Sequence, residues 1–183
     1  MRYPRLIAAV LCLTLLAAAC SDDGDGDNTI NLGESGLTPG IDDIQGVAEG
    51  SALGLTFATL DNDPASFEQY LGTPLVINFF AQWCPNCVEE MPEFETVFQD
   101  VRDEINFIGI SLDQRPEEAI DLIKATGVTY DIGWDPAEEL FVHFRGFSYP
   151  TTVFVDAEGN VARVWSGVLD EDTLRDRINE ELL

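Results

Sequence analysis

The sequence predicts an α/β domain, a β-sheet with helices on both faces, at residues 51–183. Strand-like and helix-like segments alternate from Leu55 onward, which is the order expected when helices connect and cover the strands of a sheet. Residues 74–80 form an apolar run interrupted only by Asn78, as in a strand buried on both faces. A length of 183 residues allows one such domain plus accessory segments.

The first elements expected in this domain are a strand at 55–58, a short helix at 63–70, a central strand at 74–80 and a longer helix from Pro85. Asp63 and Pro64 predict the start of the short helix, because a capping residue followed by proline is common in a first helical turn. The longer helix has an apolar face. That face consists of Val88, Met91, Phe94, Phe98 and Val101.

The second half of the domain continues the alternation. The sequence predicts a helix that Gly127 ends in a left-handed conformation, a further helix that starts at Asp135 and Pro136, and a hairpin closed by a polar turn. The predicted strands are at 105–111, 129–132, 151–155 and 161–166, and the predicted helices are at 116–126, 135–144 and 170–181.

The first twenty residues have the layout of an export signal. A basic start precedes an uncharged run at 6–19, which is shorter than the roughly 20 apolar residues that a spanning helix needs. Small residues stand directly before Cys20, and this arrangement resembles the lipobox of bacterial lipoproteins, with Ala17 where that motif more often has leucine. The resemblance implies that Cys20 is lipidated and anchors an extracytoplasmic chain to the bacterial cell membrane. A plain secretory signal or an uncleaved anchor stays open, and each would still export the domain.

Residues 21–50 are predicted to form a flexible acidic linker. They contain seven Gly, six Asp and no Lys or Arg, without a periodic apolar face. A spacing that resembles an EF-hand calcium loop is present at Asp23, Asp25, Asp27, Ile30 and Glu34. Asn28 stands where that loop has glycine, and the lipid anchor leaves no room for a preceding helix. A solvated linker is the preferred interpretation, and calcium binding stays open.

The chain is strongly acidic. It has 34 Asp and Glu against 9 Lys and Arg, for a formal net charge of −25. Nucleic acids and anionic lipid surfaces favour a basic protein face, so neither is predicted as a direct partner. The acidic surface is expected to serve solubility.

The four cysteines have different expected fates. Cys12 lies in the signal and Cys20 carries the lipid, which leaves Cys84 and Cys87 as the thiols of the exported chain. If Cys84 and Cys87 were two ligands of a zinc site, the site would need two more, and the chain has a single histidine, His143. A purely structural disulfide would close so short a loop that it would stabilise little. No metal is predicted, and a redox-active pair is the preferred interpretation.

The position of the pair supports this interpretation. Cys84 is predicted to lie between the end of a strand and the start of a helix, where free N–H groups and the helix dipole stabilise a thiolate. The thiolate is the form that attacks a disulfide, so Cys84 is predicted to be the exposed nucleophile. Cys87 lies one turn later and is predicted to be the buried, resolving thiol. Pro85 fits the first helical position, where no hydrogen bond is lost.

Residues 79–87, FFAQWCPNC, followed by Glu90-Met91-Pro92 and Tyr149-Pro150-Thr151, resemble the TlpA/ResA-type branch of the thioredoxin superfamily. The resemblance covers residues 55–183. It implies a thioredoxin-like fold with a central mixed β-sheet flanked by helices and an inserted segment at 113–144. It also implies that a cis-proline, Pro150, faces the cysteine pair.

The same resemblance implies roles for the site residues. Glu90 would handle protons during exchange, and the cis-proline would leave the neighbouring backbone free to pair with an extended substrate. The implied substrate-binding residues are Trp83, Tyr149, Pro150 and Thr151. Other interpretations stay open: Glu90 as a solvated helix residue, Pro150 as a trans turn residue and Trp83 as a core residue. Asn78 stands where thioredoxin itself has a buried aspartate, so that proton route is predicted to be absent.

The predicted function is thiol–disulfide exchange with exported proteins that contain cysteine pairs, without a cofactor. A membrane protein would supply or remove the electrons. A reductase, for example in cytochrome c maturation, is preferred, because the acidic chain without a cation near the pair should raise the pKa of the thiol. Pro85 directly after the nucleophile resembles exported oxidases, so a Dsb-type oxidase or isomerase stays open. A redox-inert binding lipoprotein of the same fold is the third alternative.

Overall fold

The computed structural model describes residues 51, 52 and 54–183. The predicted export signal, the lipidation at Cys20 and the linker at 21–50, with its calcium-loop spacing, lie outside the described residues and stay predictions. Within the described residues, none of the helices has the length and apolar character needed to cross a membrane.

The described residues form seven strands, four α-helices and one 3₁₀ helix. The strands are β1 (Thr56–Thr59), β2 (Pro64–Ser66), β3 (Leu75–Phe80), β4 (Asn106–Ser111), β5 (Asp131–Trp134), β6 (Thr151–Val155) and β7 (Val161–Ser166). The α-helices are α1 (Pro85–Val101), α2 (Pro116–Thr126), α3 (Glu139–His143) and α4 (Glu171–Glu181), and the 3₁₀ helix is Phe67–Tyr70.

The strands form one mixed sheet in the order β2-β1-β5-β4-β3-β6-β7. The central strand β3 is parallel to β4 and antiparallel to β6, and all six of its residues are buried. The predicted central strand and mixed sheet are therefore confirmed. The sheet positions the site, because β3 ends at Phe80 and α1 begins at Pro85, so that a four-residue connection carries Cys84.

Several predicted helix ends are confirmed. The carboxylate of Asp170 accepts a hydrogen bond from the N–H of Thr173 at 2.8 Å and caps α4. Gly127 ends α2 with φ 78°, a left-handed conformation that costs glycine little because it has no Cβ.

The predicted helix start at Asp63 and Pro64 is wrong. Residues Pro64–Ser66 form β2, which pairs antiparallel with β1. Asp63 lies in the turn between these strands, where its carbonyl accepts from the N–H of Thr59 at 2.8 Å. The 3₁₀ helix begins only at Phe67, and the hydroxyl of Ser66 caps it by accepting from the N–H of Glu68 at 3.2 Å.

The segment predicted as an insert, 113–144, contains α2, β5 and α3. Strand β5 begins two residues later than predicted. Asp135 is the capping residue of α3, since its carboxylate accepts from the N–H groups of Glu139, Leu140 and Phe141. The helix itself begins at Glu139, four residues after the predicted start, because the side chain reaches across an intervening turn.

Candidate active site

Cys84 and Cys87 form a disulfide, with their Cα atoms 5.3 Å apart. Cys84 is 4% exposed and Cys87 is 0% exposed. The predicted exposure of Cys84 is therefore wrong for the disulfide form, in which its sulfur is bonded to that of the fully buried Cys87. Cys84 is nevertheless the more exposed of the two cysteines.

The disulfide lies at the first turn of α1. Cys84 is the N-cap residue, and its Sγ accepts a hydrogen bond from the N–H of Cys87 at 3.2 Å. Pro85 follows at the first helical position, as predicted. An N–H group directed at Sγ and the positive end of the helix dipole both favour a thiolate over a thiol after reduction.

The peptide bond between Tyr149 and Pro150 is cis, as predicted. The carbonyl of Pro150 accepts from the N–H of Gly167 at 2.8 Å. The side chain of Thr151 is buried, and its hydroxyl donates to the carbonyl of Ser148 at 2.7 Å. Thr151 thus holds the loop, and its buried side chain is not exposed for contact with a substrate.

Aromatic contacts bring this loop to the disulfide. Trp83 directly precedes Cys84, and Tyr149 directly precedes Pro150. Their rings meet edge to face, with centroids 5.1 Å apart. Tyr149 also stacks on Phe141 at 4.7 Å, and its hydroxyl donates to Glu138 at 2.9 Å. Burial and this bond raise the pKa of Tyr149 to about 12. Trp83 is 59% exposed, so its interpretation as a core residue is wrong.

Two further exposed apolar residues lie on the loops around Pro150, and no motif in the sequence marks them. Phe147 is 65% exposed and stands two residues before Tyr149. Val168 is half-exposed and follows Gly167, which is bonded to Pro150. Exposed apolar side chains beside a reactive group are typical of a protein-binding surface.

Glu90 is buried, with 1% exposure. It lies three residues after Cys87 on the inward face of α1. Its Oε1 accepts from Nδ2 of Asn78 at 2.7 Å, and its Oε2 accepts from the N–H of Leu169 at 3.1 Å. Desolvation raises the pKa of Glu90 to about 8, although these two bonds oppose the shift. The interpretation of Glu90 as a solvated helix residue is wrong.

A second buried carboxylate, Asp113, was not predicted. Its two oxygens accept from the N–H of Gln82 at 2.9 and 3.1 Å, and Oδ2 also accepts from the hydroxyl of Ser111 at 3.0 Å. Desolvation raises the pKa of Asp113. Asp113 therefore fastens the turn directly before Trp83. Carboxyl ends of parallel neighbouring strands share an edge of the sheet, so the pairing of β3 with β4 could have indicated this contact.

Asp113→Ala is expected to lower the free energy of unfolding by about 1–3 kcal/mol, because it leaves the N–H of Gln82 and the hydroxyl of Ser111 without their acceptor. Urea unfolding of the oxidised protein measures this loss. Asp113→Asn keeps an acceptor and should recover part of it. Asp121→Ala, at an exposed position of α2, is the control and should stay within about 0.5 kcal/mol of the wild type. An equal effect of Asp113→Ala and Asp121→Ala would contradict this role for Asp113.

The described residues contain no group of three or more His, Cys, Asp or Glu side chains arranged to hold a metal ion. The arrangement that they do contain is a cysteine pair at a helix start, a cis-proline loop whose Tyr149 contacts Trp83, the residue before the pair, and a buried carboxylate one turn away. Together with the mixed sheet, it defines a thioredoxin-fold thiol–disulfide oxidoreductase. The chain belongs to the AhpC/TSA family, whose family model matches residues 50–164.

Individual relatives agree with this class. Sporulation thiol-disulfide oxidoreductase A of Bacillus subtilis is 25% identical over 114 residues, which are 60% of this chain and 68% of the relative. Thiol-disulfide oxidoreductase ResA of Oceanobacillus iheyensis is 23% identical over 122 residues, which are 66% and 64% of the two chains. The solved structure of MTB DsbF has a TM-score of 0.65 and 29% identity, and the match covers 72% of this chain and 98% of that one. The resemblance and the fold class predicted from the sequence are thereby confirmed.

Proposed function

We propose that this protein is an extracytoplasmic reductase that exchanges the Cys84–Cys87 pair with the disulfides of exported proteins. The observation that carries the proposal is the placement of this pair at the N-terminus of α1, next to the loop of cis-Pro150. The name of the relative in Bacillus subtilis, a thiol-disulfide oxidoreductase, supports the reaction class. The redox-inert alternative has no such support.

The reaction begins with the reduced pair. The Cys84 thiolate attacks one sulfur of the substrate disulfide, a mixed disulfide forms, and the other substrate sulfur leaves as a thiolate. Cys87 then loses its proton and attacks Sγ of Cys84, which releases the second substrate thiolate and closes the Cys84–Cys87 disulfide. Two electrons pass from the pair to the substrate, and the two released thiolates take up protons.

Glu90 is the proposed acceptor of the Cys87 proton. It lies one helical turn after Cys87, and burial raises its pKa to about 8. An ordinary cysteine has a pKa of about 8.5, and proton transfer is efficient when the pKa values of donor and acceptor are close. The buried site also keeps the proton between these groups, because bulk water does not reach Glu90 freely.

The substrate-binding surface is proposed to consist of Trp83, Tyr149 and the backbone beside Pro150 and Thr151, with Phe147 and Val168 at its margin. The aromatic rings offer a flat contact for apolar residues near the substrate cysteine. A cis-proline donates no N–H, and the carbonyl of Pro150 already accepts from Gly167, so the backbone of Tyr149 is the part of the loop proposed to pair with an extended segment.

The cycle needs partners at the membrane. The oxidised pair must be reduced again by a membrane electron donor, because an exported protein does not meet the cytosolic glutathione pool. Anchoring through a lipid on Cys20 would keep the domain near such a donor. Cytochrome c maturation is one process that needs reduced cysteine pairs in exported proteins, and it is the proposed setting.

The competing function is a Dsb-type oxidase, which Pro85 after the nucleophile and the likeness to MTB DsbF favour. The reductase is preferred because the sequence has no Lys, Arg or His between Arg5 and Arg102, so no cation adjacent in sequence stabilises the Cys84 thiolate. A less stable thiolate makes the pair more reducing.

The reduction potential is therefore expected to lie well below the roughly −120 mV of the strongest exported oxidants. Equilibration of the protein with glutathione buffers, followed by counting of free thiols, measures it. The Cys87→Ser variant is the control, because it cannot form the internal disulfide. A potential at or above about −130 mV would make the protein an oxidase, because electrons would then flow from exported thiols into the disulfide.

A further inference from the structure

The side-chain amide of Asn78 is hydrogen-bonded through its nitrogen but not through its oxygen. Asn78 lies on the central strand β3 and is buried. Its Nδ2 donates to Oε1 of Glu90 at 2.7 Å and lies 3.4 Å from the hydroxyl oxygen of Thr152 on β6. Its Oδ1 has no hydrogen-bond partner among the described residues. A buried acceptor without a donor costs free energy, so we expect a donor to hydrogen-bond to this oxygen in another state of the site.

We propose that Asn78 is a positioning residue for proton transfer: its amide stabilises ionised Glu90 through Nδ2 and reverses to stabilise protonated Glu90 through Oδ1. The inference rests on the proposed function in one respect, since it assigns Glu90 the proton that Cys87 releases. The contacts of Asn78 themselves do not depend on that function.

The two states differ in which atom donates. An ionised carboxylate has only acceptors, and both oxygens of Glu90 are satisfied, one by Nδ2 of Asn78 and one by the N–H of Leu169. After protonation one oxygen becomes a donor, and a donor facing Nδ2 gains nothing. Rotation of the amide by about 180° presents Oδ1 instead, which accepts from the carboxyl of Glu90. The hydroxyl of Thr152 can donate to the same oxygen.

The groups packed around Glu90 leave the hydrogen bond from Asn78 as the side-chain contact that decides its charge. On α1, Glu93 disfavours a second negative charge. Before β5, the buried Tyr130 also interacts electrostatically with Glu90. On β6, Thr152 carries no charge, and from the loop before α4 only the N–H of Leu169 reaches the carboxylate. Asn78 is thus the side chain, among the described residues, that hydrogen-bonds to Glu90.

Asn78→Leu, which has a similar size and no donor, tests the proposal. Titration of the oxidised protein with ¹³C-labelled glutamate follows Glu90 directly by NMR. The pKa of Glu90 is expected to rise from about 8 by about half to one pH unit, because the charge-assisted bond that the ionised form loses is stronger than the neutral bond that the protonated form loses. Thr152→Val is the comparison variant: it removes the weaker 3.4 Å contact to Asn78 but leaves both hydrogen bonds of Glu90 in place, so it should shift the midpoint much less than Asn78→Leu.

The rotation of the Asn78 amide can be detected separately by NMR. In the wild type, the side-chain amide signals of Asn78 should titrate with the midpoint of Glu90, and in Glu90→Gln they should not titrate with pH. Amide signals that stay constant across the titration of Glu90 would overturn the reversal. An unchanged pKa of Glu90 in Asn78→Leu would overturn the positioning role. Neither result depends on activity, whereas the proposed transfer of the Cys87 proton to Glu90 fails separately if Glu90→Gln resolves the mixed disulfide as fast as the wild type at every pH.

If Asn78→Leu does not fold, the exchanged pair Asn78→Asp with Glu90→Gln serves instead. It keeps one carboxyl and one amide in contact, now with the carboxyl on β3. The pair should show one buried carboxyl with a raised pKa and should restore a pH-dependent resolution step that Glu90→Gln alone lacks. Loss of both features in a folded exchanged pair would contradict the proposal.

Discussion

Cys84→Ser is expected to lower the rate of exchange with a disulfide substrate by at least about 10³-fold, because a serine hydroxyl is a very poor nucleophile at neutral pH. Cys84 is the sulfur with the greater accessibility, and its Sγ receives the N–H of Cys87 at 3.2 Å. Reduction of insulin under a dithiol reductant measures the rate. The variant should be indistinguishable from the uncatalysed reaction.

Cys87→Ser separates the two sulfurs. It keeps the nucleophile and removes the thiol that resolves the mixed disulfide, so covalent complexes with substrate should accumulate. They are detected by non-reducing electrophoresis and disappear on addition of reductant. Cys84→Ser is the matched control and should trap few complexes. Equal trapping by both variants would contradict the assignment, and trapping by Cys84→Ser alone would reverse it.

The oxidised protein is expected to lose stability, relative to Glu90→Gln, as the pH rises from about 4.5 to about 8. The carboxyl of Glu90 has an ordinary pKa of 4.5 when unfolded and a pKa of about 8 when folded. Between these values the unfolded chain has released a proton that the folded chain still holds, so the free energy of unfolding falls with pH. The contribution is fully present below the lower value. Its loss by the upper value is on the order of 3–5 kcal/mol.

Urea unfolding of the wild type and Glu90→Gln at pH 5 and pH 8.5 measures this difference. The general effect of the acidic surface cancels, because both proteins share it. Glu89→Gln is the matched control: this neighbour on α1 is exposed, and its substitution should not change the pH dependence. Parallel pH profiles for the wild type and Glu90→Gln would show that Glu90 titrates as an ordinary surface carboxyl.

The helices and strands predicted correctly are those whose own residues favour a single secondary structure. The hairpin of β6 and β7 coincides with its predicted bounds, because two apolar strands flank a polar turn that contains Gly159. Helix α2 coincides as well, between Pro116 and Gly127. In contrast, proline after a capping residue fits both a helix start and an edge strand. Pairing of Pro64 with β1 decided in favour of the strand.

The site was predictable where its residues are adjacent in sequence. The cysteine pair and the cis-proline follow from short motifs, whereas the burial of Glu90 depends on partners 12 and 79 residues away. The turn before the pair likewise depends on Asp113, 31 residues from Gln82. Such contacts are set by strand order and helix packing. Asn78, interpreted from the sequence as a missing proton route, proved to be the residue that holds the carboxylate.

The two ends of the sheet disfavour the addition of a strand from another molecule. The outermost strands are β2 and β7. Strand β2 has only three residues and begins with Pro64, which has no N–H to offer to another strand. The pairing of β7 with β6 is irregular at Phe154 and Val155, and such irregularities hinder edge-to-edge addition. With a net charge of −25, like molecules also repel each other. These features should limit aggregation through the edges of the sheet.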